Sequence, residues 1–490
     1  MSDKDVLLIN KNDDVLIALA DLPKGDVAEG ITLQEDIRQA HKIARYDMKA
    51  GHVLIKYGCP IGFLTKDVYK GEWIHSHNLR TGLAQGAAYS YKKNVPDNEK
   101  ASDRKFMGFL RKDGRAGIRN DIYIVPTVGC VNSITESIRL KFIIRHPEME
   151  NSVKVLTHPY GCSQLGDDLL VTKKILAGLC VNPNAGGVLV VGLGCENNRL
   201  SEFLKFVNPA DPSRLLSFNC QEHPDEVKYG LEQMEKLFSA IKTDSRELLG
   251  LDKLTLAVKC GGSDGFSGLT ANPLLGLVSE IIGASGGRVG LSEVPEMFGA
   301  EQLLMNRAKD EKTYKKIVSL INGFKEYYAR NNQVCYENPS PGNKDGGITT
   351  LEEKSLGCVQ KAGHMEVEDI LDYGERFKVN GLSLVNGPGN DIVASTDLAA
   401  AGATLLIFTT GRGTPFGSVI PTIKIATNHR LAENKADWID FDAQDVFELG
   451  FEAVRDKLLD LVIQTCSGQK TKAEENGNTQ IAIFKQGVIL

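Results

Sequence analysis

The sequence predicts a multi-domain α/β protein headed by a small strand-rich unit, and three observations lead there. The 490 residues exceed the size at which one hydrophobic core keeps growing. From about residue 120 onward, short apolar runs alternate with helix-like stretches, the pattern of parallel sheets covered by helices. Turn signals crowd the first 90 or so residues at the spacing of a small all-β domain.

In the first unit, residues 1–92, Val6–Ile9, Val15–Leu19, Val53–Lys56 and Trp73–His77 read as strands, and Gln39–Ala44 follows a helical or turn segment. Pro23-Lys-Gly25, Lys49-Ala-Gly51 and Lys70-Gly71 separate them. A polar, charged linker over residues 93–104 follows. The middle α/β domain, residues 105–248, opens with a hairpin-like Phe109–Ile118 and continues through a strand at Ile122–Val125 and a helix from about Ser133. A strand at Val153–Leu156, another helix and the apolar strand Gly187–Gly192 complete it. A second, larger α/β domain, residues 249–490, starts near Lys253–Cys260. It holds strands at Gly381–Val385 and Thr404–Phe408 around an alanine-rich helix at 392–402. The charged tail Ser467–Asn478 is expected to be mobile and Ile481–Phe484 to return as an edge strand.

The chain is 42% hydrophobic and 24% charged, so it should fold throughout. A net charge of −6 leaves no basic excess for nucleic acid. The start Met-Ser-Asp-Lys-Asp-Val has no basic stretch leading into an apolar run, so no secretory leader is expected, and no apolar run reaches the roughly 18 residues of a membrane span. A cytoplasmic protein without a membrane partner is expected, its thiols reduced, and a homo-oligomer stays open.

Five of the ten cysteines sit beside glycine in polar loops at predicted strand ends: Cys130, Cys162, Cys195, Cys260 and Cys358. A thiol where the backbone can turn sharply is available to a metal or a reacting group, whereas Cys180 and Cys466 lie in apolar runs as small hydrophobes. Cys130, Cys162 and Cys195 each follow one strand of the middle domain, at the sheet edge where open α/β folds bind ligands.

Other loops carry further chemistry. His75 and His77, two apart in a predicted strand, share a face and could bind a divalent ion or serve as acid and base, with His41 and Asn78 completing the set. Two imidazoles alone do not make a metal site, and a solvated sheet face is the plainer reading. His158, Tyr160, Cys162 and Gln164 lie within seven residues of loop, a density that packing does not require. The glycine-rich loops bearing Ser263, Asp264, Arg412 and Thr414 could present N–H groups and a guanidinium to a carboxylate. They lack the spacing of a nucleotide loop. Glu293, Glu296 and Glu301, with Lys344 and Lys354, are candidate ligands or proton-transfer groups as a cluster, although any single acid is better read as helix-start chemistry.

Thr-Val-Gly-Cys130-Val-Asn132, Tyr-Gly-Cys162-Ser-Gln-Leu-Gly-Asp-Asp168, Gly-Leu-Gly-Cys195-Glu-Asn-Asn198, Cys260-Gly-Gly-Ser-Asp-Gly265, Glu293–Glu301, Asn338-Pro-Ser-Pro-Gly-Asn-Lys344 and Thr410-Gly-Arg-Gly-Thr-Pro415 closely resemble the altronate and galactarate dehydratase family nearly end to end. The blocks Glu293–Glu301 and Asn338–Cys358 look nearest to its altronate branch. The resemblance implies an N-terminal β-clip domain of the SAF type, a middle α/β domain and a Rossmann-like C-terminal domain. It also implies an Fe2+- or Mn2+-dependent lyase removing water from a sugar acid, D-altronate giving 2-dehydro-3-deoxy-D-gluconate. His41, His75 and His77 would be the polar set of the SAF domain, and the glycine-cysteine loops would face it.

Such a reaction removes the proton α to a carboxylate and expels the C3 hydroxyl, which demands a cation or fixed positive charge to hold the enediolate. His75 or His77 is the expected acid and Lys344 or His158 the base. Tyr160, Asn78, His41, Ser263, Asp264, Arg412 and Thr414 would hold the substrate. Metal ligands would come from His75, His77 and the five loop cysteines. A labile iron–sulfur cluster on three of those cysteines is the alternative to a single ion. Galactarate or a sulfonated hydroxy acid is the alternative substrate, and a non-catalytic sugar-acid sensor the alternative class.

Overall fold

The computed structural model describes residues 5–83 and 89–487. The N-terminal part is all strand and turn. Val6–Leu7, Val15–Ala18, Lys42–Ala44 and Trp73–Ile74 make one antiparallel sheet, and Val53–Lys56, Cys59–Leu64 and Leu79–Arg80 another. The two-residue period of Val53–Lys56 turns Leu54 and Lys56 inward together, so register alone buries a lysine. The expected strand Trp73–His77 stops at Ile74. His75–Asn78 is instead a turn closed by the His75 N–H donating to Asn78 Oδ1 at 2.8 Å, so His75 and His77 do not share a sheet face.

The segment 89–104 has no regular structure and lies along the C-terminal domain, with Tyr91 Oη donating to the Ala308 carbonyl. Lys105–Leu110 pairs antiparallel with both Ala116–Gly117 and Glu247–Gly250. The middle domain is a four-stranded parallel sheet in spatial order Val153–Val155, Asp121–Pro126, Ala185–Gly192, Leu215–Asn219. In chain order that is 2-1-3-4, so the direction of winding reverses between the first and third strands.

The C-terminal domain is a seven-stranded parallel sheet ordered Val367–Leu371, Gly381–Val385, Arg288–Leu291, Thr255–Cys260, Leu405–Thr410, Thr422–Ala426, Phe441–Asp442. Its winding reverses between Thr255–Cys260 and Leu405–Thr410. The helix Gly166–Cys180 of the middle domain packs on Asp391–Ala401 of the C-terminal domain, Gly178 against Ala400, inside an apolar core that both sheets share. A second core joins Val15, Ile17 and Ile74 of the N-terminal sheets to Phe266 and Leu356.

Two expectations for the tail need correction. Ser467–Asn478 holds a short helix, Lys472–Glu475, whose Glu474 pairs with Arg119 at 2.7 Å. Ile481–Phe484 joins no ladder among the described residues. Its backbone is fastened by side chains, the Ala482 N–H donating to Thr396 Oγ1 and the Phe484 N–H to Tyr373 Oη. No helix among the described residues is long and apolar enough to cross a membrane.

Candidate active site

The reversal point of the seven-stranded sheet is built from the loops after Cys260 and Thr410. The Gly411 and Arg412 N–H groups both donate to the Gly262 carbonyl, at 3.0 and 2.9 Å. Asp264 locks the two loops: its carboxylate accepts from Ser267 Oγ, Thr427 Oγ1 and Asn428 Nδ2. A Cβ at Gly411 would lie 2.1 Å from the Asp264 Cγ, so only glycine lets the loops close. Asp264 is buried and fully partnered, which removes it from substrate binding; it organises the edge instead. Arg412 stays exposed with no partner among the described residues, and Ser263 Oγ is buried and unpartnered. Thr414 is half-buried, its Oγ1 accepting from the Phe416 N–H.

Onto this edge the N-terminal domain is clasped through the short helix Pro341–Asp345, whose Asn343 donates to the Ser263 carbonyl at 2.8 Å. His75 Nε2 meets the Lys344 carbonyl at 2.7 Å while its Nδ1 accepts from the Ser76 N–H. His41 Nδ1 accepts from Trp73 Nε1 at 3.0 Å and its Nε2 meets the Asp345 carbonyl at 3.3 Å. Burial holds the His41 imidazole down to about 4 and lowers His75 as well. With every nitrogen engaged, neither ring has a lone pair for a metal or a free face for substrate, so both are struts of the clasp. Asn78 is spent in the turn, accepting from His75 and donating to the Trp73 carbonyl. His77 alone of the set is exposed, its ring 5.1 Å from Trp73. Lys344 is half-buried, and its amine has no partner among the described residues.

Beneath the clasp runs the helix Leu351–Cys358, buried along its whole length. Glu353 accepts from Lys42 and Lys56 of the N-terminal strands at 2.9 and 2.8 Å. One residue on, Lys354 donates to Glu296 at 2.8 Å and to Asn338 at 3.0 Å. Deeper still, Glu293 bridges Lys259 and Lys361, and Lys361 Nζ lies 2.9 Å from Cys260 Sγ. Glu293 takes a left-handed φ of 70°, strain held where its carboxylate meets the two ammonium groups. The hydrogen bond with Cys358, helped by Lys361, holds the Cys260 thiol below its ordinary value, and the same bond raises Cys358. Burial lifts Glu296, but Lys354 outweighs it and keeps the carboxylate ionised. Lys354 is likewise held protonated despite burial, chiefly by Glu296, which removes it as a base.

Cys260, Glu296 and Cys358 bring three ligand atoms within 4.8 Å, the composition of a soft-metal site. A dication does not fit there as the side chains stand. Lys361 and Lys354 already bond Cys260 and Glu296, Lys259 adds a third buried positive charge, and all three ligands are sealed from substrate.

The middle domain carries the other thiols. His158 is buried with both nitrogens used, Nε2 on the Pro126 carbonyl at 2.8 Å and Nδ1 accepting from the Tyr160 N–H, and burial holds it down to about 4. It is a loop brace and not a base. Tyr160 Oη donates to the Ile483 carbonyl and is taken up by the tail. Cys130, Cys162 and Cys195 are exposed, away from the sealed pair Cys260 and Cys358, so the five cysteines form two sets. The sequence reading passed over Lys42, Lys56, Lys259 and Lys361. The signal was there, a lysine inside an apolar strand at Leu256-Ala-Val-Lys259 and Lys42-Ile-Ala44.

Three family models cover nearly the whole chain. The altronate/galactarate dehydratase SAF domain matches residues 4–82, the D-galactarate dehydratase/altronate hydrolase second domain residues 108–242, and the D-galactarate/altronate dehydratase C-terminal domain residues 251–489. The chain is 48% identical to the altronate dehydratase of Bacillus subtilis (strain 168), over 99% of this chain and 100% of that one. It is 46% identical to the altronate dehydratase of Escherichia coli (strain K12), over 98% and 99%. It is 32% identical to the galactarate dehydratase (L-threo-forming) of the same organism, over 98% and 95%. A SAF domain followed by two parallel-sheet α/β domains, matched end to end at these identities, places the chain in the D-galactarate/altronate dehydratase family of sugar-acid hydro-lyases.

Proposed function

We propose that the chain dehydrates D-altronate to 2-dehydro-3-deoxy-D-gluconate at the rim where the N-terminal domain meets the reversal point of the seven-stranded sheet. The observation that carries the substrate is the match to two altronate dehydratases over almost their full lengths. Arg412, exposed beside Gly262, takes the carboxylate in its planar fork. Lys344 removes the α proton, its half-buried amine being without a partner among the described residues. His77 protonates the departing C3 hydroxyl, its ring being the one imidazole of the set left exposed.

An Fe2+ or Mn2+ ion, the family's implied cofactor, would add Lewis-acid stabilisation of the enediolate. No step here runs through the sealed Cys260, Glu296 and Cys358 set.

Incubation with D-altronate and Fe2+ under reducing conditions, followed by a 2-keto acid assay, tests the reading. Keto acid formation supports it. No product from D-altronate, with turnover of galactarate or a sulfonated hydroxy acid instead, would move the chain to another substrate of the same chemistry.

A further inference from the structure

The winding of the middle sheet reverses between Asp121–Pro126 and Ala185–Gly192, and open α/β sheets bind ligands in the crevice beyond such a point. The two loops flanking that crevice end in Cys130 and Cys195, and the loop after the neighbouring strand Val153–Val155 carries Cys162. All three thiols are exposed.

The loops are stitched into one frame. The Gly129 N–H donates to the Tyr160 carbonyl at 2.8 Å, and the Ser163 N–H donates to Asn197 Oδ1 at 2.7 Å. Glu196 accepts from Thr127 Oγ1 and from the Leu193 and Gly194 N–H groups. Asn198 sits at the junction, its backbone N–H on the Gly161 carbonyl and its Nδ2 on the Thr127 carbonyl, both at 2.9 Å. Its Oδ1, on a side chain with 0% exposure, has no partner among the described residues. This buried acceptor, at the meeting of three thiol-bearing loops, has capacity for one more donor, which a water or a hydroxyl on a bound group supplies.

We infer that Cys130, Cys162 and Cys195 hold an iron–sulfur cluster by three thiolates, one iron being left open. Three exposed thiolates match a cubane with an open corner, the other cysteine of this sheet edge, Cys220 after Leu215–Asn219, being buried. The three sulfurs do not gather within 4.8 Å, the closeness expected of ligands around a single ion. Disulfide formation leaves one thiol over, and His158, the nearby imidazole, has no free nitrogen to activate a nucleophile. The site does not depend on which sugar acid is turned over.

The test is reconstitution of the full chain with Fe2+ and sulfide under anaerobic conditions, with iron, acid-labile sulfide and visible absorbance measured on each variant. The wild-type chain should carry about four irons and four sulfides with broad visible absorbance. Cys130→Ser, Cys162→Ser and Cys195→Ser should each lower cluster content at least tenfold while melting as wild type. Cys335→Ser, outside both thiol sets, should keep it. Iron without sulfide, no iron at all, or retention of the cluster in all three serine variants would overturn the inference. A chain that holds the cluster but leaves D-altronate untouched would reject the substrate assignment and not this site.

Discussion

Lys42 and Glu353 come from opposite sides of the boundary between the N-terminal and C-terminal domains and meet at 2.9 Å with neither side chain exposed. Lys56 joins them at 2.8 Å, so one carboxylate neutralises two buried ammonium groups. Burial alone would raise Glu353, but Lys42 and Lys56 hold it down to about 2. Replacing it, Glu353→Gln, leaves two uncompensated charges, and a loss of about 3–5 kcal/mol is expected in urea unfolding. The pH dependence has a fixed sign. A depressed carboxylate stabilises above its unfolded value of 4.5 and loses that contribution as pH falls toward about 2, so the gap between wild type and Glu353→Gln should narrow across that window.

His75 and His77 should separate cleanly. His75→Asn removes a strut, and a loss of about 0.5–1.5 kcal/mol is expected for its hydrogen bond, since the Lys344 carbonyl keeps the Gly347 N–H at 2.9 Å. His77→Asn should melt as wild type and lower kcat by about 10²- to 10⁴-fold. Burial holds His77 below its ordinary 6.5, so the activity carried by its protonated form should fall as pH rises through a value under 6.5. Equal kcat in wild type and His77→Asn would remove it as the acid.

Arg412→Ala should raise KM for D-altronate by about 10- to 150-fold, the value of a hydrogen-bonded charge at roughly 1.5–3 kcal/mol, with an unchanged melting curve because the side chain is exposed. Arg412→Lys should recover only part of the loss, since an ammonium cannot bind a carboxylate as a fork. A KM unaffected by either change would place the carboxylate elsewhere.

Gly161 has a φ of 100°, and a Cβ there would fall 2.1 Å from the Thr127 carbonyl oxygen. Gly161→Ala should therefore cost at least about 1–2 kcal/mol and pull the Cys130 and Cys162 loops apart. Thermal melting and thiol accessibility, measured side by side, report the two effects.

Local chemistry was legible where one residue pattern determined one structure. Val53–Lys56 and Gly381–Val385 have the limits that their apolar runs suggest. The strand expected to run through His77 failed because Asn78 captures the His75 N–H and bends the chain. Arg288–Leu291 and Leu215–Asn219 went unread, the first because a glycine and an arginine interrupt so short a run, the second because its residues are only half-buried. The cysteines were legible as a group but not as two sets, since their division depends on which sheet each loop belongs to. His75 and His158 were expected to be catalytic and His41 to hold the substrate, and their hydrogen bonds make all three struts.

The helix Leu351–Cys358 serves two neighbours with consecutive residues, Glu353 reaching the N-terminal strands and Lys354 reaching Glu296. A chimaera of two relatives joined at the segment before Lys105 would therefore inherit Lys42 and Lys56 from one parent and their counter-charge from the other. Shuffling at that seam should yield sound protein only when both parents carry this three-residue lock, so the first module travels through recombination as a matched half and not as a cassette.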